Sequence, residues 1–348
     1  MLVGPHTGLP IGHHTGVPIA QPTGLPIAQP TGLPIAQPTG LPLCQPPGQL
    51  ANGLARDRSG EAAGDVSHPL TGHITGGTTL CAILADPILH VKTPDAINAV
   101  LRERGIDGVM VPMHVGAGDL AGVVGGLRGI RNFAGFIATV PHKSTMPALC
   151  DVITDRARMI GAVNVVRRTA DGQLVGDMLD GLGFAEGLRQ AGIHLAGRSV
   201  YLAGAGGAAS AIAFALVAAG VARLTIANRT RAKAEALVGR LLTDGSRVPI
   251  SVGDSDPAGH DIVVNGTSLG LRPNDPLPLD VSRLDARQIV AEIIMNPEIT
   301  PLLAAAVERG CRIQKGWPML ACQVAMMADF MGLSVGTPAS AASGSSAQ

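Results

Sequence analysis

Neither sign of charge prevails in this 348-residue chain, in which 26 Lys and Arg balance 26 Asp and Glu. That balance leaves no basic excess to hold a nucleic acid or an anionic membrane surface. Long apolar runs are missing too. Hydrophobic residues make up 46% of the sequence, yet no uninterrupted stretch reaches the roughly eighteen residues a membrane helix needs. Cysteine is sparse. Cys44, Cys81, Cys150, Cys311 and Cys322 show no paired spacing of the kind zinc ligands or a redox pair use, and five is an odd number for a disulfide framework. No metal site is expected, and a soluble protein of a reducing cytoplasm fits this pattern.

The first fifty residues are of a different material. An eight-residue unit recurs five times between Thr7 and Pro46, its cleanest copy being Thr23-Gly-Leu-Pro-Ile-Ala-Gln-Pro30. Two prolines in most units remove backbone donors and each glycine adds freedom, so the units neither stack as helices nor pair as interior strands. Residues 1–48 read as disordered repeats and 49–76 as a linker; 334–348, rich in Ala and Ser, read as a loose tail. The start has no basic lead into an apolar core, so it is not expected to be a secretory signal. A polyproline-type docking tail is the functional alternative to a tandem-repeat expansion or a misplaced start site.

Between these ends, apolar runs of strand and helix type alternate. Strands are expected at 79–84, 109–111, 133–140, 163–166 and 174–175, the last two as a hairpin turning through Asp171-Gly172. Helices are expected at 94–104, with Thr93 as N-cap, and at 117–127. Strand patterns at 200–203, 224–227, 248–252, 262–264 and 289–294, mostly with helical segments between them, predict a parallel, doubly wound sheet. Two α/β domains with a cleft between them follow.

Gly204-Ala205-Gly206-Gly207 stands where the 200–203 run meets a helical run beginning at Ala208. Glycines at the end of a first strand let the chain turn tightly and let a pyrophosphate approach free N–H groups at the next helix N-terminus. The tip of the second strand then faces the adenosine ribose. NAD binders usually place an acid there, whereas Arg229, Thr230, Arg231 and Lys233, following Asn228, suit a 2′-phosphate. NADP is the expected cofactor, with NAD as the alternative.

Hydride transfer to a carbonyl creates an oxyanion that must take a proton, so an acidic or cationic group has to lie within hydrogen-bond reach of that oxygen. Lys143 is the best candidate, because its segment leaves a strand through Pro141 and holds the side chain at the cleft mouth. Asp180, after a Gly-Asp turn, stands to come from the opposite wall. Ser144 lacks an identifiable base, and His142 reads as a packing residue.

Seven motifs taken together resemble the shikimate dehydrogenases: Thr139-Val140-Pro141-His142-Lys143, Gly161-Ala162-Val163-Asn164, Gly176-Asp177-Met178-Leu179-Asp180-Gly181, the glycine loop, Asn228-Arg229-Thr230, Asn265-Gly266-Thr267-Ser268-Leu269-Gly270, and the run from Gly316 to Gln323. The resemblance covers roughly residues 79–333. It implies an N-terminal α/β substrate-binding domain at 77–179, completed by a C-terminal helix at 316–333, and a Rossmann-like, doubly wound NADP-binding domain at 180–315. It implies Lys143 as acid/base with Asp180 orienting it. Thr93, Thr139, Asn164 and Gln323 would contact substrate; Asn265, Thr267 and Gly316 would join Gly204, Ala205, Gly206, Gly207, Ala208, Asn228, Arg229, Thr230 and Lys233 around the cofactor. The implied partner is a small cyclic polyol; a homodimer is left open as the assembly, and composition gives no nucleic-acid or membrane partner.

Departures from the family pattern bear on the substrate. Where two serines flanking one residue usually hold the substrate carboxylate, this chain has Val91 and Thr93; Ile137 replaces an asparagine and Met295 a tyrosine. Losing a hydrogen bond to a charged group costs about 1.5–3 kcal/mol, or roughly ten- to a hundredfold in affinity. Unless Lys92 or His90 compensates, shikimate itself is expected to bind poorly, with quinate, aminoshikimate-like or other polyols as alternatives. A catalytically decayed NADP-binding sensor, an interaction protein built on the repeats and a glutamyl-tRNA reductase are the remaining readings. Retention of both Lys143 and Asp180 speaks against the first, and the neutral charge balance against the last.

Overall fold

The computed structural model describes residues 74–89 and 91–334. The repeats, the linker up to residue 73, His90 and the tail from residue 335 lie outside the described residues.

Six strands form the first sheet: β1 (Thr79–Ala85), β2 (Gly108–His114), β3 (Phe133–Ala138), β4 (Val152–Ile153), β5 (Val165–Arg168) and β6 (Leu174–Asp177), in the order β2-β1-β3-β5-β6-β4. The near-continuous apolar run of β1 suits a central strand covered on both faces. It pairs in parallel with β2 and β3, while β5 and β6 form the antiparallel hairpin expected from Asp171-Gly172. Helices α1 (Thr93–Glu103), α2 (Leu120–Leu127) and α3 (Asp155–Ile160) accompany this sheet. Ile97 and Leu101, one turn apart on α1, are buried, as helical spacing requires.

Several boundaries differ from the sequence expectation. Lys92, already in the right-handed helical region, is the N-cap of α1, so Thr93 is a buried first-turn residue rather than the cap. The second helix starts at Leu120 instead of 117, behind two glycines that favour loop over helix. The third strand stops at Ala138, short of residue 140, because Pro141 and the turn before it cannot continue the ladder.

The second sheet contains β7 (Ser199–Ala203), β8 (Arg223–Ala227), β9 (Ile250–Val252), β10 (Ile262–Asn265), β11 (Ile289–Glu292) and β12 (Arg312–Gln314). All pairs are parallel, in the order β12-β11-β10-β7-β8-β9. The chain runs outward from β7 in one direction and then crosses back to β10 on its other side. That reversal opens a crevice at the carboxyl ends of β7 and β10, the place where such sheets bind ligands. Edge strand β12 went unforeseen, since Ile313 is its only apolar residue.

Helices α4 (Asp180–Gln190), α5 (Gly207–Ala218), α6 (Arg231–Thr243), α7 (Pro301–Glu308) and α8 (Trp317–Phe330) complete the fold. Glycines bring α4 close to both of its neighbours. A Cβ on Gly181 would lie 2.2 Å from the Ala211 carbonyl oxygen of α5, and one on Gly183 would lie 2.6 Å from the Met319 carbonyl oxygen of α8. The helix that carries Asp180 is thereby wedged at the junction of the lobes. Helix α8 continues onto the first lobe, where Arg104 pairs with Asp329 at 2.7 Å. Among the described residues no helix is long and apolar enough to cross a membrane.

Candidate active site

Lys143 and Asp180 come together where the lobes meet. Lys143 sits in a short 3-10 turn beyond β3, and Asp180 is the first residue of α4. The lysine Nζ donates to Asp180 Oδ2 at 2.5 Å, the lysine side chain being 16% exposed and the aspartate 2%. Asp180 is fixed from its other oxygen as well. Asn164 Nδ2 donates to Oδ1 at 2.7 Å and lies 3.4 Å from Gln323 Oε1, while Asn164 Oδ1 accepts from the Leu179 N–H at 2.9 Å. Four residues expected at the site thus form one network drawn from the β5 approach, the 3-10 turn, α4 and α8. Asn164 thus directs its polar atoms to Asp180, Gln323 and the Leu179 backbone.

Thr139 follows β3 on the same segment as Lys143, its N–H bonded to the Leu84 carbonyl and its carbonyl to the His142 N–H. Thr93 lies buried in the first turn of α1. His142 is also buried, a ring nitrogen 2.8 Å from the Val115 carbonyl oxygen; it packs, as the sequence suggested. Trp317 begins α8 and packs against the apolar cluster that contains Leu179.

The glycine loop closes on this network. Gly204 holds φ +118°, a region hostile to side chains, and a Cβ there would lie 3.0 Å from the backbone of Gly266. Gly206 caps α5 in an extended conformation. A Cβ on Gly207 would lie 3.1 Å from Lys143 Cβ, so the missing side chain lets the helix N-terminus reach the turn that carries Lys143. Asn228 bonds within its own turn, Nδ2 to the Thr230 carbonyl at 2.9 Å. Arg229, Thr230 and Lys233 are exposed at the β8 tip, whereas Arg231 pairs with Glu235 at 2.9 Å. On the far side of the crevice, Asn265 Oδ1 accepts from the Thr267 N–H at 3.0 Å and from its hydroxyl at 2.6 Å, and Asn265 Nδ2 donates to the Leu269 carbonyl at 3.0 Å. Gly316 caps α8, and a Cβ there would lie 2.3 Å from the Ile294 carbonyl oxygen. A cradle of bare backbone at a helix N-terminus, with cations one strand away, fits a phosphorylated dinucleotide.

Residues 83–166 match the shikimate dehydrogenase substrate binding domain, and residues 186–269 match the shikimate / quinate 5-dehydrogenase family. A shikimate dehydrogenase (NADP(+)) of Rubrobacter xylanophilus is 41% identical over 254 residues, 72% of this chain and 89% of that protein. The chain belongs to the shikimate dehydrogenase family. Among solved members, the shikimate 5-dehydrogenase of Thermus thermophilus, in complex with NADP(H) and shikimate, is 31% identical with a TM-score of 0.65, covering 73% of this chain and 93% of that one. The 5-ketofructose reductase of Gluconobacter sp. strain CHM43 is 33% identical with a TM-score of 0.64, covering 73% and 92%.

Sequence reasoning missed three polar groups around this family site. Asp177 accepts from Thr154 Oγ1 at 2.6 Å and from Arg156 Nη2 at 2.5 Å, and its carbonyl accepts from the Asn164 N–H at 2.9 Å, so it holds the approach to β5 from which Asn164 projects. Arg240 of α6 reaches across to the Ile160 carbonyl of the first lobe at 2.8 Å. The third is Glu292, at the end of β11 directly opposite Asn265 and 1% exposed. Its Oε1 accepts a short hydrogen bond from Asn265 Nδ2, and its buried Oε2 has at most a poorly aligned contact from Thr300. An acid closing an apolar strand was the available signal, readable only once the neighbouring strand is known.

Burial pushes the Glu292 carboxyl from an ordinary 4.5 up to about 7, against the opposing pull of Asn265 and Thr300. The folded protein therefore holds this proton more tightly than the unfolded chain. Its contribution to stability is complete below pH ~4.5 and is lost as pH rises through ~7, on the order of 3 kcal/mol in all. Glu292→Gln should remove that slope, so that the variant gains on the wild type in urea unfolding between pH 5 and pH 8. Parallel pH profiles for the two proteins would show that the carboxyl is not held protonated.

Proposed function

We propose that this protein is an NADP-dependent dehydrogenase that moves a hydride reversibly between the nicotinamide and a ring alcohol or ketone of a cyclic polyol. The observation that carries the reading is the 2.5 Å contact of Lys143 Nζ with Asp180 Oδ2, made at the lobe junction beside the glycine loop. When bound, NADP(H) supplies or accepts the hydride. Lys143 gives a proton to the oxygen of the ketone during reduction and takes it back during oxidation. Asp180, with Asn164 behind it, keeps the ammonium aimed and accepts a hydrogen bond from a neighbouring hydroxyl. Thr93, Thr139 and Gln323 contact further polar groups of the substrate.

Gly204, Ala205, Gly206, Gly207 and Ala208 hold the pyrophosphate, Asn228, Arg229, Thr230 and Lys233 the adenosine side, and Asn265, Thr267 and Gly316 border the nicotinamide. The substrate domain is assigned to 77–179 with 316–333, and the NADP domain to 180–315. A cytoplasmic setting and a homodimer complete the proposal, the latter checked by sedimentation of the full chain. The relatives' named substrates differ in charge, since shikimate is a ring carboxylate and 5-ketofructose is an uncharged polyol. Both fit the reaction type.

Steady-state assay of the full chain against shikimate, quinate and amino-substituted analogues, with each nicotinamide, tests the reading. NADP-linked oxidation of a ring alcohol, surviving deletion of residues 1–70, is expected. NADP binding without oxidation or reduction of any polyol would mark a sensor instead.

A further inference from the structure

We infer that the preferred substrate carries no carboxylate, and that the carbonyl reduced belongs to an uncharged polyol ketone. The inference rests on the hydride-transfer reading above and narrows its substrate class. Its ground is the make-up of the wall that continues from Lys143 and Asp180 on the substrate side.

Val91, Ile137 and Met295 stand at the three positions where the family resemblance places side chains that polar substrate groups use. In the structure they belong to one apolar cluster together with Leu179 and Leu320. That cluster abuts the catalytic network at two points. Leu179 immediately precedes Asp180, and Leu320 lies one helical turn before Gln323 on α8. Ile137, on β3 two residues ahead of Thr139, is only 3% exposed and pairs with Ile83 and Val165 on the flanking strands. Hydrocarbon therefore takes the place of donors at three separate elements at once.

The cations of the surrounding elements are committed elsewhere. Arg104 of α1 bonds Asp329 at 2.7 Å and the Leu333 carbonyl at 2.6 Å. Arg156 of α3 bonds Asp177. Arg167 of β5 lies over the Phe330 ring at 5.9 Å. Lys143 is balanced by Asp180. Among the described residues Lys92, exposed at the start of α1, forms no ion pair. A carboxylate entering this recess would leave its hydration shell for a wall that returns few hydrogen bonds, at roughly ten- to a hundredfold in affinity for each missing one. Hydroxyls and carbonyls meet no such penalty, because Thr93, Thr139, Asp180 and Gln323 remain to pair with them.

Two substrates that differ in charge and by one ester methyl decide the point. With the full chain and NADP, methyl shikimate should be oxidised with a kcat/KM at least about tenfold above that of shikimate, and 5-ketofructose should be reduced with NADPH. The double variant Val91→Ser/Ile137→Asn should raise kcat/KM for shikimate about tenfold or more, and Lys92→Ala should leave the shikimate value unchanged. Shikimate as the better member of the pair, or a tenfold loss on shikimate in Lys92→Ala, would overturn the inference while leaving hydride transfer intact. If NADPH binds by fluorescence titration yet no polyol is converted in either direction, the hydride-transfer reading itself fails and this inference falls with it. Because the charge comparison uses the wild-type chain, it stands even if the double variant does not fold.

Discussion

Replacement of Lys143 by Ala should lower kcat by about 10²–10⁴-fold, the range spanned by a positioned acid/base group, while the Kd for NADPH changes by less than about threefold. The split follows from where the side chain sits. Lys143 nears the glycine loop through its Cβ and Cδ, which stand 3.1 and 3.7 Å from the site of a Gly207 Cβ, and the nearer of the two is kept in alanine. Its backbone stays tied through the bond from the Val163 N–H to the Lys143 carbonyl at 2.9 Å. What is lost is the ammonium, which in the proposed reaction serves proton transfer and not the dinucleotide. A small primary amine such as ethylammonium, added to the variant, should restore part of the turnover; a merely structural lysine would gain nothing from it. Asp180→Asn should also reduce kcat, by less, since the amide still holds the lysine approximately in place but no longer fixes it as a carboxylate does. Wild-type kcat in Lys143→Ala would remove the chemical basis of the proposed reaction.

The parts of this site that were legible in the sequence are those whose physics is local. The glycine loop announces itself because a tight turn with φ +118° at Gly204 admits almost no other residue. The hairpin at Asp171-Gly172 is readable for the same reason, with Gly172 at φ +87°. Lys143 and Asp180 were singled out as a pair because the reaction needs a proton donor and because each stands in a recognisable motif. Their contact depends on α4 being wedged between α5 and α8. The groups that escaped notice depend wholly on tertiary placement. Asp177 gains its meaning from Arg156 and Thr154, Arg240 from a carbonyl eighty residues away, and Glu292 from the strand beside it. Thr93 shows the opposite error: a good capping residue before proline suggested a cap, but the helix begins one residue earlier and the threonine turns inward.

The apolar replacements occupy an intermediate position. Val91, Ile137 and Met295 are unremarkable residues by themselves, and only the family comparison made them departures. The structure adds that Val91 and Met295 pack against the same apolar cluster to which Ile137 belongs, so the three changes fall on one cluster. A change of substrate charge is a simpler account of three coordinated losses than three independent erosions, given that Lys143, Asp180, Asn164 and Gln323 remain assembled.

Cofactor choice should respond as strongly at the β8 tip. Arg229 and Lys233 are exposed there, and Arg231 is held by Glu235. A 2′-phosphate brings about two negative charges to that tip, and each cation meeting it should contribute roughly tenfold in affinity at low ionic strength. Arg229→Ala/Lys233→Ala should therefore raise the KM for NADPH by about a hundredfold while the KM for NADH stays within about twofold, because the ribose hydroxyl of NADH has no charge for either residue to meet. Arg231→Ala should shift the NADPH value little, its guanidinium being engaged within α6. Salt supplies an independent check. The NADPH KM of the wild type should rise steeply between about 20 and 300 mM salt, whereas the double variant and the NADH reaction should be nearly flat, since only a charge-based contact is screened. Equal loss with both nicotinamides would show that the two side chains shape the adenosine pocket rather than read the phosphate.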